Sequence, residues 1–149
     1  MPDRRDPLSL DSQLCFALVT AARNVVAVYR PILEPLGLTH PQYLVMLALW
    51  EHEPRSLAEL ADELAMEPAT LSPLVKRLEG QGRVARTRRR DDERVLEIGL
   101  TEEGRSLRSD ALQVPAQVME RVGMSIDEVD DLRDALERFA GRRSGLRSA

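Results

Sequence analysis

The sequence predicts a mainly α-helical fold that carries a single small β-hairpin. Apolar residues recur three and four positions apart through most of the chain, which is the spacing of a buried helix face. Between residues 84 and 100 this spacing gives way to two runs rich in β-branched and apolar residues, "VART" and "VLEIGL", on either side of a charged turn. Hydrophobic residues make up 43% and charged residues 31% of the chain, a balance typical of soluble helical proteins.

The N-terminal part is predicted to be a disordered tail followed by a long helix. Residues 1–9 are polar and lack periodicity, so we expect them to be loose. Residues 10–38 are predicted to form a dimerisation helix, which Asp11 or Ser9 caps and which Pro31 and the residues after it end. Its apolar residues alternate in spacings of three and four, the pattern of a helix that packs along another helix: Cys15, Leu18, Ala22, Val25, Tyr29 and Ile32.

Residues 39–100 are predicted to form a separate domain that begins with a helix in "THPQYLVMLALWEH". Thr39 is the expected cap of this helix, and Pro41 suits its first turn. The apolar spacing predicts an inward side made of Tyr43, Leu44, Leu47 and Trp50.

Two shorter helices follow, and a tight turn separates them. In "SLAELADELAM", Ser56 and Glu59 have the spacing of a capping box. In "ATLSPLVKRLEGQG", Pro73 lacks a backbone donor, so we expect the regular helix to begin near Pro73 or to have a distorted first turn. The residues expected to face inward are Leu71, Leu74, Val75 and Leu78.

Residues 101–141 are predicted to form further dimerisation helices. Thr101 is the expected cap of a helix that runs to about Val122 and bends at Pro115. A second capping box, Ser125 with Glu128, precedes a last helix. That helix has heptad spacing of its apolar residues, which are Val129, Leu132, Leu136 and Phe139. Residues 142–149 are predicted to be a frayed tail.

Positive charge is concentrated in one stretch, although the chain as a whole has a formal net charge of −4. Residues 76–90 contain seven lysines and arginines and a single acid, Glu79. The order of elements, two short helices and then an arginine-rich hairpin, is that of a winged helix-turn-helix domain. In such a domain the second helix enters the major groove, and a basic hairpin reaches toward the minor groove. The side chains expected to contact double-stranded DNA are Thr70, Ser72, Lys76, Arg77, Arg86, Arg88, Arg89, Arg90 and Arg94.

Two further features of the DNA complex follow from this arrangement. Asp92 is expected to orient Arg94 through a charge-assisted hydrogen bond. The flanking helices are expected to build a twofold homodimer, which would place two recognition helices about one DNA turn apart on a near-palindromic DNA site. A solvated hairpin without an anionic partner is disfavoured, because several arginines at one turn repel one another.

The single cysteine has two interpretations. A cysteine on an apolar helix face is commonly a small buried hydrophobe. Cys15, however, lies near the start of its helix, where the helix dipole favours a thiolate. Tyr29 follows on the same stripe roughly 21 Å along the helix axis, so only an antiparallel partner chain could bring the two together. His40 and Tyr43 follow the loop that packs near this end of the helix.

Nearly the whole chain resembles the MarR-type winged-helix regulators, through the helix-turn-helix, the hairpin "RTRRRDDERVLEIGL" and the following "LTEEG". Within that family, the "QLCF" segment, Tyr29 and "PQYLVMLALWE" resemble the organic-hydroperoxide-responsive, OhrR-like repressors. The resemblance implies that Cys15 is a redox sensor whose sulfur accepts hydrogen bonds from tyrosines of the partner subunit. Tyr29 matches one such tyrosine, and His40 stands where the second usually lies. An imidazole can also donate to a thiolate, and a protonated one would stabilise it further.

The resemblance also implies a repressor that releases its operator when an organic hydroperoxide oxidises Cys15 to a sulfenic acid. Because the chain has one cysteine, a small-molecule thiol is a candidate reaction partner for that sulfenic acid. The alternative within the same class is a repressor that a phenolic or apolar anionic ligand releases, with Cys15 in a structural role.

Other classes of protein are disfavoured. A thiol peroxidase would need a resolving cysteine, so we expect no enzyme, and a purely structural dimer would not bind DNA in a salt-dependent way. Two histidines and one cysteine are too few for a zinc site, so no metal and no cofactor are expected. No uninterrupted apolar run approaches the ~20 residues of a membrane span and no signal peptide is recognisable, so we expect a cytoplasmic protein with no membrane partner.

Overall fold

The computed structural model describes residues 6–147 of the chain, with side chains described as far as Phe139. The fold is mostly helical with one small antiparallel sheet, as predicted, and it divides into two compact units, Met1–Val114 and Pro115–Ala149. The elements in chain order are α1 (Leu14–Leu33), α2 (His40–Glu51), β1 (Arg55–Ser56), α3 (Leu57–Glu63), α4 (Pro68–Gly80), β2 (Val84–Arg88), β3 (Leu96–Leu100), α5 (Glu102–Ala111), α6 (Val114–Val122) and α7 (Ile126–Arg147).

The long N-terminal helix is confirmed, but both of its ends differ from the prediction. Gln13 is the N-cap of α1, whereas Ser9 and Asp11 belong to a short 3-10 turn before it, where the Ser9 carbonyl accepts a hydrogen bond from the Ser12 hydroxyl at 2.8 Å. Pro31 lies inside α1, so the prediction that it ends the helix is wrong. Burial of the two residues that follow Pro31 holds the last turn together, even though a proline cannot donate a backbone hydrogen bond.

Within the part of the chain that the structure describes, one segment, Leu14–Leu36, is long and apolar enough to span a membrane by length and composition. The expectation that no segment meets this test is therefore wrong, because the average over the segment tolerates isolated charges. Arg23 and Arg30 both lie within it, and an arginine at the centre of a bilayer costs about 3 kcal/mol. We therefore interpret the apolar face of α1 as a surface for packing against protein.

Helix α2 is the central helix of the larger unit and begins as predicted. The Thr39 side chain accepts from the Gln42 backbone, and the Gln42 side chain accepts in return from the Thr39 backbone. The predicted inward side is wrong in part, because the Leu47 side chain is 41% exposed whereas Val45 and Met46 are fully buried. Apolar residues occupy almost every position of α2, so their spacing does not identify one buried face.

The two short helices also begin with the expected signals. Ser56 and Glu59 form the predicted capping box of α3. Helix α4 begins at Pro68 and includes Pro73, so the expected delay of its regular part does not occur. Pro68 suits the first turn, where its missing donor costs nothing. The α4 residues that are fully buried are Leu71, Val75 and Leu78, whereas Leu74 is half-buried.

The predicted hairpin is present and forms part of a three-stranded sheet. Strands β2 and β3 pair antiparallel with Val84 opposite Leu100 and Arg88 opposite Leu96. The additional strand is β1, which pairs with β3 and gives the strand order β1-β3-β2. We refer to β2, β3 and the residues between them as the wing.

The base of the wing is fastened to its neighbouring helices by backbone contacts around α5. Thr101 caps α5 as predicted and also donates its hydroxyl to the carbonyl of Gly82. The indole of Trp50 donates to the carbonyl of Gly104 at 2.8 Å. A Cβ atom on Gly104 would collide with the backbone carbonyl oxygen of Arg83, so only glycine allows α5 to approach so closely.

We therefore expect Gly104→Ala to lower the free energy of unfolding by about 3 kcal/mol, since backbone has to move to admit the methyl group. Urea denaturation followed by circular dichroism measures this decrease. Gly80→Ala is the matched control, because a Cβ at this helical position meets nothing within 4 Å. An equal decrease in stability in both variants would contradict the assignment.

The C-terminal helices differ from the prediction at three points. The helix capped by Thr101 stops at Ala111, and α6 starts at Val114. Pro115 lies in the first turn of α6, where proline is well tolerated, so the expected bend at Pro115 is wrong. Ser125 accepts from the Glu128 backbone, but its hydroxyl donates to the Glu128 carboxylate, which gives half of the predicted capping box. Helix α7 continues to Arg147, so it includes residues 142–147 of the predicted tail, because a glycine such as Gly141 weakens a helix without necessarily ending it. The rest of that predicted tail, and residues 1–5, lie outside the described residues.

Candidate functional site

The outer face of α4 carries the polar side chains expected of a recognition helix. Thr70 is exposed and Ser72 is half-buried near the start of α4, and Lys76 and Arg77 are exposed one to two turns later. The opposite face of the helix is fixed in the core by its fully buried leucines and valine. Helix α4 can therefore present this polar row to a groove while its inner face holds it in place.

The tip of the wing is ordered by the acid predicted to orient it. Arg94 donates from its Nε to Asp92 Oδ1 at 3.0 Å and from its backbone N–H to the same oxygen at 3.1 Å. These hydrogen bonds hold the pKa of Asp92 below its ordinary value. The Arg94 side chain is nevertheless 91% exposed, so it is oriented but free to contact another molecule.

The other wing arginines fall into two groups. Arg88 donates to the backbone carbonyl of Glu93 at 2.9 Å, and the exposed Arg90 has no hydrogen bond or ion pair to any described residue. Arg86 and Arg89, in contrast, are held by acidic side chains of the same chain. The sequence predicts a DNA contact for every one of these arginines. It does not distinguish Arg86 and Arg89, because only the tertiary fold brings their acidic partners close to them.

The second candidate site begins at Cys15, in the first turn of α1. Its side chain is exposed, and so are the apolar side chains of Leu14 and Phe16 on either side of it, at 59% and 42%. Tyr29 lies about 21 Å farther along α1 at the helical rise of 1.5 Å per residue. The fold therefore separates Cys15 from the tyrosine expected to support it within one chain.

Tyr29, His40 and Tyr43 form a cluster at the other end of α1, which we call the aromatic cluster. The Tyr29 and His40 rings meet edge to face with their centroids 4.9 Å apart, and the Tyr29 and Tyr43 rings lie 5.9 Å apart. Burial raises the pKa of Tyr29, and burial and then the neighbouring Tyr29 raise that of Tyr43. Burial lowers the pKa of His40, so its imidazole is neutral at physiological pH. Both phenols and the neutral imidazole can thus donate a hydrogen bond.

A cavity of about 680 Å³ lies beside the aromatic cluster in the same unit, and sequence reasoning did not locate it. It is bounded by the second half of α1, the start of α2 and the end of α4. His40 lines it, together with two arginines from different helices, Arg30 and Arg77, and one acid, Glu34. No periodicity signals such a cavity, since its walls come from segments about 40 residues apart in sequence.

Comparison with known proteins shows what the chain is similar to. A family model described as "Transcriptional regulator SarA/Rot" matches residues 27–111, which include α4 and the wing. The chain is 37% identical to the organic hydroperoxide resistance transcriptional regulator of Bacillus subtilis, over 91% of the chain and 92% of that protein. It is 47% identical to the HTH-type transcriptional regulator TtmR of Methylorubrum extorquens, over 96% of the chain and 72% of that protein. Among solved structures, reduced AbfR bound to DNA has a TM-score of 0.76 at 31% identity, over 93% of this chain and 97% of that chain.

Proposed function

Because the chain belongs to the SarA/Rot and MarR-type family of winged helix-turn-helix transcriptional regulators, we propose that it is a homodimeric repressor that senses organic hydroperoxides through Cys15. In this proposal the reduced dimer binds a near-palindromic operator, and oxidation of Cys15 releases it. The protein is cytoplasmic, where its DNA lies, and it consumes peroxide stoichiometrically and not as an enzyme.

The exposure of Cys15 on an apolar helix face is the observation that carries this proposal. Besides the neighbours of Cys15, the exposed apolar residues of α1 include Val19, Val25 and Val26, each about two-fifths exposed. An apolar face of this length on a soluble protein marks an interaction surface. A second copy of α1 running antiparallel covers it and brings the aromatic cluster of one chain to Cys15 of the other.

The oxidation needs only the thiolate and the hydroperoxide. The Cys15 sulfur attacks the terminal oxygen of ROOH, the O–O bond breaks, and RO⁻ takes up a proton and leaves as ROH. Sulfur is oxidised to a sulfenic acid and the peroxide is reduced to an alcohol. Without a second cysteine in the chain, the sulfenic acid condenses with a small thiol or a backbone nitrogen, or is oxidised further.

Release of DNA follows from a change in dimer geometry. The added oxygen or thiol places bulk and polarity in a packed helix seam and disrupts its hydrogen bonds with Tyr29 and His40. Both α1 helices then shift, and the two recognition helices lose the spacing that the operator requires. Coupling of a few kcal/mol between the two sites is sufficient for this response.

Titration with cumene hydroperoxide tests the proposal. The DNA is a duplex that wild-type protein selects from a random pool of sequences. We expect the protein to dissociate from this duplex as the peroxide approaches one equivalent per chain. Intact-mass spectrometry is expected to show one added oxygen, or a thiol adduct, on Cys15 in step with release. Release without modification of Cys15 would contradict the proposal, as would peroxide consumption that continues after Cys15 is fully oxidised.

The cavity beside the aromatic cluster favours a second candidate, a repressor released by an aromatic or apolar anion. Its volume suits a small ligand, and Arg30 and Arg77 supply charge for a carboxylate or phenolate. In this candidate Cys15 has only a structural role. Release of DNA from the Cys15→Ser variant by such an anion favours the second candidate over the first.

A further inference from the structure

An ion pair joins the recognition helix to the wing. Glu79 lies on α4, and its carboxylate accepts from the Arg86 side chain on β2 through Nε at 3.2 Å and through a terminal nitrogen at 3.0 Å. The same carboxylate accepts from the Arg86 backbone N–H at 3.2 Å. One acid of α4 thus holds both the side chain and the backbone of a wing residue.

Arg89 makes the corresponding link to the first helix of the helix-turn-helix. Its Nε donates to the Glu97 carboxylate on β3 at 2.7 Å and also lies 3.8 Å from Asp91. A terminal nitrogen of the same guanidinium lies 3.7 Å from the Glu59 carboxylate of α3. Arg89 therefore ties the far end of β2 to β3 and to α3.

Arg86 and Arg89 differ from Arg94 in the fraction of the side chain that is exposed to solvent. Arg86 and Arg89 are about one-third exposed, whereas Arg94 is almost fully exposed. The hydrogen bonds with Arg86 lower the pKa of Glu79, so this acid remains charged at neutral pH. The Glu79 carboxylate occupies two N–H donors of Arg86, and only about a third of the Arg86 side chain is exposed, so little of its guanidinium can reach a phosphate.

We infer that Arg86 and Arg89 are positioning residues that set the angle between the wing and the two helices, while Arg88, Arg90 and Arg94 contact the DNA backbone. This inference rests on the proposed function and narrows it, since a positive charge alone does not identify a phosphate contact. It also assigns a role in DNA binding to two acids, Glu79 and Glu97, that would otherwise repel DNA.

The sign of the effect of Glu79→Ala tests the inference. Removing an acid beside DNA strengthens binding if the acid only repels phosphates or masks a phosphate-binding arginine. If Glu79 instead positions the wing, the variant binds about tenfold more weakly. Asp110→Ala on α5 is the control, because it removes the same charge from an exposed side chain with no described ion pair.

The salt dependence of Arg86→Ala separates positioning from phosphate binding. Each phosphate that a variant no longer neutralises reduces the slope of log Kd against log salt by about 0.9. We expect Arg86→Ala to bind about tenfold more weakly with an unchanged slope, and Arg90→Ala to show the reduced slope. The double variant Glu79→Ala/Arg86→Ala is expected to bind no more weakly than either single variant, because both remove the same interaction.

The DNA is again the duplex that wild-type protein selects from a random pool. If the proposed function is wrong and the protein does not bind DNA, no duplex is selected, and this result appears before any variant is compared. Circular dichroism is used to check that each variant is folded. If Glu79→Ala unfolds, Glu79→Gln replaces it, because glutamine retains the helix and an acceptor for the Arg86 backbone N–H. Tighter or unchanged binding by the Glu79 variant, or a reduced salt slope for Arg86→Ala, would overturn the inference.

Discussion

Replacing Cys15 with serine is expected to abolish the release of DNA by organic hydroperoxide. Serine has the same side-chain shape as cysteine, with oxygen in place of sulfur, but it cannot form a sulfenic acid. The measured quantity is the ratio of Kd for the selected duplex after and before treatment with cumene hydroperoxide. We expect a ratio of roughly 10 to 100 for wild-type protein and a ratio near 1 for the variant. A variant that still releases DNA would show that Cys15 is not the sensor.

A mixed dimer tests whether the sensor is built across two chains. One chain carries Cys15→Ser and the other Tyr29→Phe, with different affinity tags for purification. If Cys15 is supported by Tyr29 of the partner, this dimer keeps one complete site and responds to peroxide. If both residues act within one chain, neither site is complete and the response is that of the Tyr29→Phe homodimer. The distance between the two ends of α1 predicts the first result.

Arg94→Ala is expected to weaken DNA binding more than any other single wing variant, by about tenfold or more. Arg94 is almost fully exposed, and Asp92 holds it in place before DNA arrives, so little side-chain freedom is given up on binding. Fluorescence anisotropy at several salt concentrations is expected to show a slope reduced by about 0.9 for each phosphate that the variant no longer binds.

Two further variants make this measurement specific. Arg108→Ala removes an exposed arginine of α5 and is expected to retain the wild-type salt slope. Asp92→Ala leaves the charge of Arg94 in place but removes both carboxylate oxygens that accept from its guanidinium, so we expect weaker binding with the wild-type slope. If Arg94→Ala left both affinity and slope unchanged, the wing tip would have no part in binding DNA.

Local signals in the sequence predict those elements whose cause is local. The Ser56–Glu59 capping box and the Thr101 cap depend on hydrogen bonds between a side chain and a backbone N–H three residues away, and both are present. The hairpin follows from two short β-branched runs around a charged turn. The contact between Asp92 and Arg94 spans only two residues, and it too could be predicted from spacing.

Features set by the tertiary fold could not be predicted in this way. Strand β1 is two residues long and exists only because β3 offers it a partner. Glu79 and Arg86 are seven residues apart across a helix end, a turn and a strand, so no periodic rule brings them together. The predicted inward side of α2 is wrong at Leu47, because a helix surrounded by other elements has no polar face to define its orientation.

The hydrogen bonds at the base of the wing have a mechanical consequence. Trp50 fastens α2 to the first turn of α5, and Thr101 fastens the same turn to Gly82 at the entrance to β2. Because these two hydrogen bonds connect α2 to β2 through α5, we expect a rotation of α2 to be passed on to the hairpin. The hairpin acts as a lever arm, so a small rotation at its pivot becomes a larger displacement at its arginine-bearing end.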